Sequence, residues 1–105
     1  MVDNIDHLVN CVERTLGTPV DDTMKKILEY FNGQVLVSMG STEFDKKISK
    51  DTGILEDEVY IRRMQLQRSR ILGYEKGLSS VGGREMEYGL TESVRSRLKE
   101  AAQTV

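Results

Sequence analysis

Four arginines and two glutamines lie close together in the second half of this chain. Guanidinium and amide groups make paired hydrogen bonds to guanine and adenine edges in the major groove, and arginine also neutralises phosphate. The alternative is a solvated helix face, on which arginines pair with Glu58 and other acids at helical spacing. The residues are Arg62, Arg63, Gln65, Gln67, Arg68 and Arg70.

Catalytic and metal-binding chemistry finds little support in the sequence. His7 and Cys11 are four residues apart, as two zinc ligands on one helical face would be, but the chain has one histidine and one cysteine. A core or interface role is the alternative for both. The Gly82-Gly83-Arg84 stretch lacks the Lys-Ser/Thr of a phosphate-binding loop. We therefore expect no enzyme, no cofactor and no metal.

The stretch that must position the arginines is residues 41–74, which read as two short helices joined by a tight turn. A hydroxyl at positions 41–42 can accept from free amides of the first helix, and Asp45 can return a capping bond. Gly53 suits the left-handed backbone at the end of that helix. The second helix is expected to begin within 55–58, where acidic residues favour the helix dipole.

This stretch has the residue spacing of a helix-turn-helix, in Ile48-Ser49, Gly53-Ile54 and Val59. Residues 83–92, followed by Val94 and Leu98, look like the second wing strand and last helix of PadR- and MarR-like winged-helix regulators. The resemblance covers residues 22–103 and implies a winged-helix DNA-binding protein. One departure is Arg62, where such proteins usually bury an aliphatic residue.

The rotation of the second helix is left open by the sequence. In one alternative Ile61, Met64 and Ile71 are buried with the aliphatic stem of Arg68. Arg62, Arg63, Leu66, Gln67 and Arg70 then point away from the core. In the other alternative Val59 is buried, which turns Tyr60 and Met64 toward a DNA groove.

Further DNA contacts are expected outside that helix. Three lysines on the first helix of the pair are candidate backbone contacts, and Arg84 beside the wing tip is a candidate for the minor groove or a phosphate. The alternative for Arg84 is an exposed loop arginine. The acids at 56–58 would repel phosphate, but they can select cytosine or simply complement the dipole. The predicted DNA contacts are Tyr60, Arg62, Arg63, Gln67, Arg70, Arg84, Lys46, Lys47 and Lys50.

The periodicity of the whole chain predicts one mainly α domain with a small β-hairpin (α+β), a winged helix-turn-helix over residues 1–105. A second helix follows the cap at Thr18 and Pro19. The expected order is helix, helix, strand, helix, helix, hairpin, helix. The segments are 2–16, 20–31, 34–39, 41–74 with two helices, 74–79 and 84–90 around a tip at 80–83, and 91–103 after a cap at Thr91.

The first helix carries an apolar stripe ahead of the winged-helix core. We expect it to form a homodimer, because pairing two chains would bury the stripe and place two recognition helices one duplex turn apart. The alternative is that the helix folds back on its own domain. The predicted interface residues are Ile5, Leu8, Val9, Val12 and Leu16.

Charge and composition set the remaining expectations. The net charge is −2, yet residues 46–74 hold seven Lys/Arg against four Asp/Glu, a local excess suited to phosphate. The lone cysteine fits a reducing cytoplasm, and no apolar run is long enough for a membrane. We expect a cytoplasmic transcriptional regulator that binds double-stranded DNA sequence-specifically. The alternatives are a protein–protein interaction module, or a plasmid or viral partition or replication protein; no effector can be inferred.

Overall fold

The computed structural model describes residues 4–37, 41–76 and 86–103. The described residues form five helices and three strands in the order that the sequence predicts. The predicted wing tip at 80–83 and Arg84 lie outside the described residues. The helices and strands are α1 Asn4–Leu16, α2 Asp22–Gly33, β1 Leu36–Val37, α3 Ser41–Thr52, α4 Glu56–Arg68, β2 Leu72–Lys76, β3 Met86–Leu90 and α5 Glu92–Gln103.

The three strands form an antiparallel sheet in the order β1-β3-β2. In this register Tyr88 of β3 lies between Leu36 of β1 and Tyr74 of β2. Gly89 faces Val35 so closely that an added Cβ would lie 2.9 Å from the Val35 Cγ1. The close approach explains why a residue without a side chain stands at this point of the central strand.

Aromatic packing joins the sheet to the helices. The fully buried Tyr88 ring stacks on Phe44 of α3 at 4.8 Å between centroids and meets Phe31 of α2 edge-on at 5.8 Å. Aliphatic side chains from all five helices belong to the same buried core as these rings. A wing strand is thereby fixed to the helix-turn-helix pair by the hydrophobic core itself.

The turn between α3 and α4 has the predicted geometry. Gly53 adopts φ +79°, the left-handed conformation expected at the end of α3, and its amide donates to the Ser49 carbonyl over 2.9 Å. The Ser49 hydroxyl donates to the Ile54 carbonyl, which closes the turn. Helix α4 then begins at Glu56, within the predicted range.

The predicted cap of α2 at Thr18 is wrong. Asp21 is the capping residue, and its Oδ1 accepts from the Met24 amide over 2.8 Å. The chain before it is tied elsewhere, because the Val20 amide donates to the Glu13 carboxylate over 2.9 Å. An aspartate is as good a cap as a threonine, so the local sequence allowed either start.

Helix α5 begins where it was expected. The Thr91 hydroxyl, however, donates to the Arg70 carbonyl over 2.7 Å. The Glu75 carboxylate of β2 accepts from the Glu92 amide over 2.6 Å and pairs with Arg95 at 3.2 Å. The first amide of the helix is therefore satisfied from the sheet.

The apolar stripe of α1 packs inside its own chain, against α2 and α5. Leu8 and Val12 are fully buried and Ile5 nearly so, while Val9 and Leu16 are half-buried against the same core. The prediction of these residues as a dimer interface is therefore wrong for Ile5, Leu8 and Val12. The reason is tertiary: α5, more than seventy residues downstream, supplies the cover that a second chain was expected to provide.

Candidate nucleic-acid interface

The rotation of α4 follows the second of the two alternatives. Its buried residues are Val59, Arg63 and Leu66, at the spacing of one helical face. Tyr60 is 52% and Ile61 57% exposed, so the alternative that buried Ile61 is wrong. The outward face consists of Asp57, Tyr60, Ile61, Gln65 and Arg68, with Met64 half-buried among them.

Arg63 lies inside the protein with an exposure of 1%. Its Nε donates to Oδ1 of Asp45 over 2.7 Å and its Nη2 to Oδ2 over 3.3 Å. Its Nη1 donates to the Tyr88 hydroxyl and to the Gln67 side-chain oxygen, each over 3.3 Å. The prediction that Arg63 points away from the core is wrong, because Asp45, Tyr88 and Gln67 compensate the burial of its charge.

The same hydrogen bonds change the predicted roles of two other residues. Tyr88 donates to the Gln67 side-chain oxygen over 2.9 Å, so Gln67 turns toward the wing strand and not outward as predicted. Asp45 accepts hydrogen bonds from Arg63 and does not form the predicted capping box.

Burial raises the pKa of Tyr88, while the hydrogen bond and the charge of Arg63 act to lower it. Burial also opposes the charge of Arg63, but its hydrogen bonds to Asp45 and Tyr88 raise its pKa above the ordinary value.

Arg62 lies at the edge of α4 and is held by two carboxylates. Its Nη2 contacts Asp21 Oδ2 at 2.8 Å and Glu58 Oε1 at 3.1 Å, and its side chain is 25% exposed. The pairing with Glu58 is the alternative raised by the sequence. The pKa of Asp21 is lowered by the hydrogen bond from the Met24 amide, and the charge of Arg62 acts in the same direction. Arg62 is thus at the surface, but its charge is balanced.

The lysines of α3 are placed on its outer side. Lys46 and Lys50 are exposed, whereas Lys47 is half-buried and pairs with Asp51 at 3.2 Å. Asp51 also accepts from the Tyr30 hydroxyl over 3.1 Å, which joins α2 to α3. DNA-backbone contacts of Lys46, Lys47 and Lys50 stay a prediction, and the ion pair with Asp51 makes Lys47 the least available of the three.

Two further arginines are exposed near the end of α4. Arg68 lies in the last helical turn, and Arg70 follows it with φ 60°, a left-handed conformation unusual for a residue with a side chain. Two backbone hydrogen bonds and one from a side-chain hydroxyl hold that turn. The Arg70 amide donates to the Gln67 carbonyl, the Ile71 amide donates to the Leu66 carbonyl, and the Arg70 carbonyl accepts from Thr91.

His7 and Cys11 are both half-buried beside α5, where Arg97 Nη1 lies 3.9 Å from the Cys11 sulfur. Among residues 4–37, 41–76 and 86–103, no group of three or more His, Cys, Asp or Glu side chains is placed to hold a metal ion. No helix within those ranges is long and apolar enough to cross a membrane.

The sequence interpretation missed the outward face formed by Ile61, Gln65 and Arg68. A usable signal was present, since Val59 and Leu66 are seven residues apart and mark one buried stripe. The sequence interpretation overlooked this stripe because Glu58, Arg62 and Arg63 lie beside or within it, and charged side chains are seldom fully buried.

Comparisons with known proteins show the fold. No family model and no curated protein matches the chain. Solved structures match at low identity. A mutant of ZitR from Lactococcus lactis has a TM-score of 0.51 and 20% identity over 84% of this chain. A possible transcriptional regulator from Methanosarcina mazei has a TM-score of 0.52 and 13% identity, and the match covers 90% of this chain. The adhesin competence repressor AdcR from Streptococcus pyogenes has a TM-score of 0.50 and 20% identity, and the match covers 95% of this chain.

This chain spans 54% of the ZitR chain, 76% of the Methanosarcina protein and 69% of AdcR. The matched structures include a repressor and a possible transcriptional regulator, and they confirm the predicted winged-helix fold. The likeness concerns the path of the backbone, so the chemistry of the interface must be argued from this chain's own residues.

Proposed function

We propose that this chain is a small transcriptional regulator that binds double-stranded DNA in a sequence-specific manner. The observation that carries the proposal is the pairing of α3 and α4 through a tight turn, with one side of α4 left exposed. The second helix of such a pair enters the major groove in helix-turn-helix proteins. The similarity in fold to a repressor and to a possible regulator supports the same function.

In this proposal, side chains of α4 contact base edges, and residues of α3, of the end of α4 and of the wing contact the DNA backbone. Lys46 and Lys50 of α3 contact phosphates beside the groove, since both are exposed. Arg70 contacts a phosphate at the other end of α4. Arg84, two residues before β3, contacts the backbone or the minor groove from the wing.

The charge distribution supports DNA binding in spite of the net charge of −2. Arg62, Arg63 and Lys47 are paired with carboxylates, but four exposed cations of residues 46–74 lie on or beside the helix pair: Lys46, Lys50, Arg68 and Arg70. A local field governs encounter more than the total charge does. Glu56 and Asp57 at the start of α4 are exposed and oppose a nearby phosphate. The proposal therefore places phosphates near α3 and the end of α4, and the acids over the groove.

A mobility-shift assay tests the proposal, with genomic fragments that include the region upstream of the chain's own gene. We expect one or a few fragments to be retained in the presence of excess competitor DNA. Fluorescence anisotropy on a retained fragment should show log affinity falling with log salt. Binding that is absent at low salt for all fragments would contradict the proposal.

Lysine variants sharpen the test. Lys46→Ala and Lys50→Ala should each weaken binding similarly for different sequences and reduce the salt slope by about one. Lys99→Ala is the matched control, because this exposed lysine lies on α5, away from the helix pair. An equal effect of Lys99→Ala would show that overall charge, and not the α3 surface, is responsible.

A protein–protein interaction module is the second candidate function. Leu55 is 79% exposed and lies beside the exposed acids of α4, and such an apolar and acidic surface is also found at protein interfaces. DNA affinity separates the two candidates. A chain with no DNA affinity that is captured by a protein partner would support this one.

A homodimer stays a prediction. Its support is that helix-turn-helix proteins commonly bind pseudo-palindromic sites as dimers. The contact would have to involve surfaces other than the buried stripe of α1. Sedimentation equilibrium with and without DNA tests it, and a monomer under both conditions would contradict it.

A further inference from the structure

The outward side of α4 has a composition unlike that of the arginine-rich sequence around it. Tyr60, Ile61, Met64, Gln65 and Arg68 line one shallow depression of about 530 Å³. Most of this surface is apolar, and an amide lies beside it. Arg62 and Arg63, which the sequence offered as base-reading groups, lie outside the depression with carboxylate partners.

An apolar surface with an amide matches one feature of the major groove. Thymine is the base that carries a methyl group there, and apolar side chains make contact with it. Glutamine makes paired hydrogen bonds with N6 and N7 of adenine. The thymine methyl group and the adenine N6 and N7 atoms belong to the same A·T pair.

From this match we propose that α4 reads A·T pairs, with Ile61 and Tyr60 against thymine methyl groups and Gln65 on adenine. The inference rests on the proposed function and specifies the class of DNA sequence that the same site takes. Tyr60 and Ile61 are each more than half exposed, so they meet the groove without rearrangement of the fold.

Guanine reading by the arginines of this helix is disfavoured by their contacts. Arg63 would have to leave Asp45, whose carboxylate is 7% exposed and would lose its charge partner. Arg62 would have to leave Asp21 and Glu58. Arg68 is free of these contacts but is the last residue of α4, about one turn beyond Gln65. We place Arg68 on a phosphate.

Selection from a pool of randomised duplexes provides the DNA needed for the test. The wild-type chain is expected to enrich sequences with A·T pairs within the bound site. Thymidine is then replaced by deoxyuridine, one position at a time, which removes the methyl group and keeps base pairing. We expect an affinity loss of about four-fold for each contacted methyl, the effect of one buried carbon.

Variants assign the contacts to residues. Ile61→Ala should weaken binding and abolish the difference between thymidine and deoxyuridine at one position. Gln65→Ala should reduce the preference for adenine at another position by roughly ten-fold. Val35→Ala and Gln34→Ala are the matched controls, since both residues are exposed near β1. They should change neither preference.

The outcomes separate the inference from the function. Enrichment of no duplex would contradict DNA binding itself. Enrichment of G·C-rich sites, or affinity that deoxyuridine does not change, would overturn the A·T inference while the proposed function stands. Wild-type affinity and preference in Ile61→Ala and Gln65→Ala would also overturn it.

Discussion

Arg63 and Asp45 form an ion pair between α4 and α3, with 2.7 Å from Nε to Oδ1 and side-chain exposures of 1% and 7%. The Arg63 guanidinium also lies over the Tyr88 ring of β3, 5.5 Å from its centroid. The pair thus joins both helices of the helix-turn-helix to the wing. It also fixes the rotation of α4, because a buried charge tolerates few other positions.

Arg63→Ala is expected to lower the free energy of unfolding by about 3–5 kcal/mol, since it leaves Asp45 buried without its partner. Arg62→Ala is the control on the same helix. Its partners are partly exposed, so we expect a loss of under about 1 kcal/mol. Urea unfolding of both variants measures the difference. Similar losses for the two would contradict a special role for the buried pair.

The sequence predicted the fold more fully than the site. Gly53, the acidic start of α4 and the alternation in β3 are local signals, and the structure confirms the elements that they predicted. The rotation of α4 is not local. It depends on contacts of Arg63 with residues 18 and 25 positions away, which no spacing rule within the helix contains.

The cover of α1 was unpredictable for the same reason. An apolar stripe on a helix must be buried, but the stripe does not specify whether a partner chain or a distant helix covers it. In this fold the cover comes from α2 and α5. The dimer assignment failed at Leu8 and Val12 because it treated the first helix as additional to the core.

Leu8→Ala is expected to cost about 2–5 kcal/mol of unfolding free energy, because it leaves a cavity at a fully buried position. The substitution should not alter how the unfolding midpoint depends on protein concentration, since the helix that carries Leu8 packs against helices of its own chain. Val9→Ala, at a half-buried position of the same helix, should cost less. A concentration dependence that is present in the wild-type chain and lost in Leu8→Ala would instead indicate that α1 lies in a dimer interface.

Tyr30 is expected to ionise later than an ordinary tyrosine. Burial and the hydrogen bond to Asp51 raise its pKa to about 12 from the usual 10.0. The raised value stabilises the fold below pH 10, and this contribution is lost as pH rises from 10 toward 12. Phenolate absorbance during a pH titration, compared with Tyr30→Phe, measures it. If the absorbance change that is missing in Tyr30→Phe occurs at or below pH 10, the expectation is contradicted.

Asp21→Asn is expected to strengthen DNA binding if Arg62 reaches a phosphate. Asparagine caps a helix as well as aspartate does, so α2 should keep its start at the Met24 amide. The change removes one of two carboxylates on Arg62, which should make the slope of log affinity against log salt steeper by about one. Anisotropy at several salt concentrations measures this slope.

Asp22→Asn is the matched control for that prediction, because it makes the same charge change one residue along, where no contact with Arg62 is found among the described residues. A general effect of negative charge would give equal shifts for the two variants. A specific release of Arg62 should appear in Asp21→Asn and disappear when Arg62→Ala is added to it. If the double variant keeps the tighter binding, Arg62 is not the group that meets the phosphate.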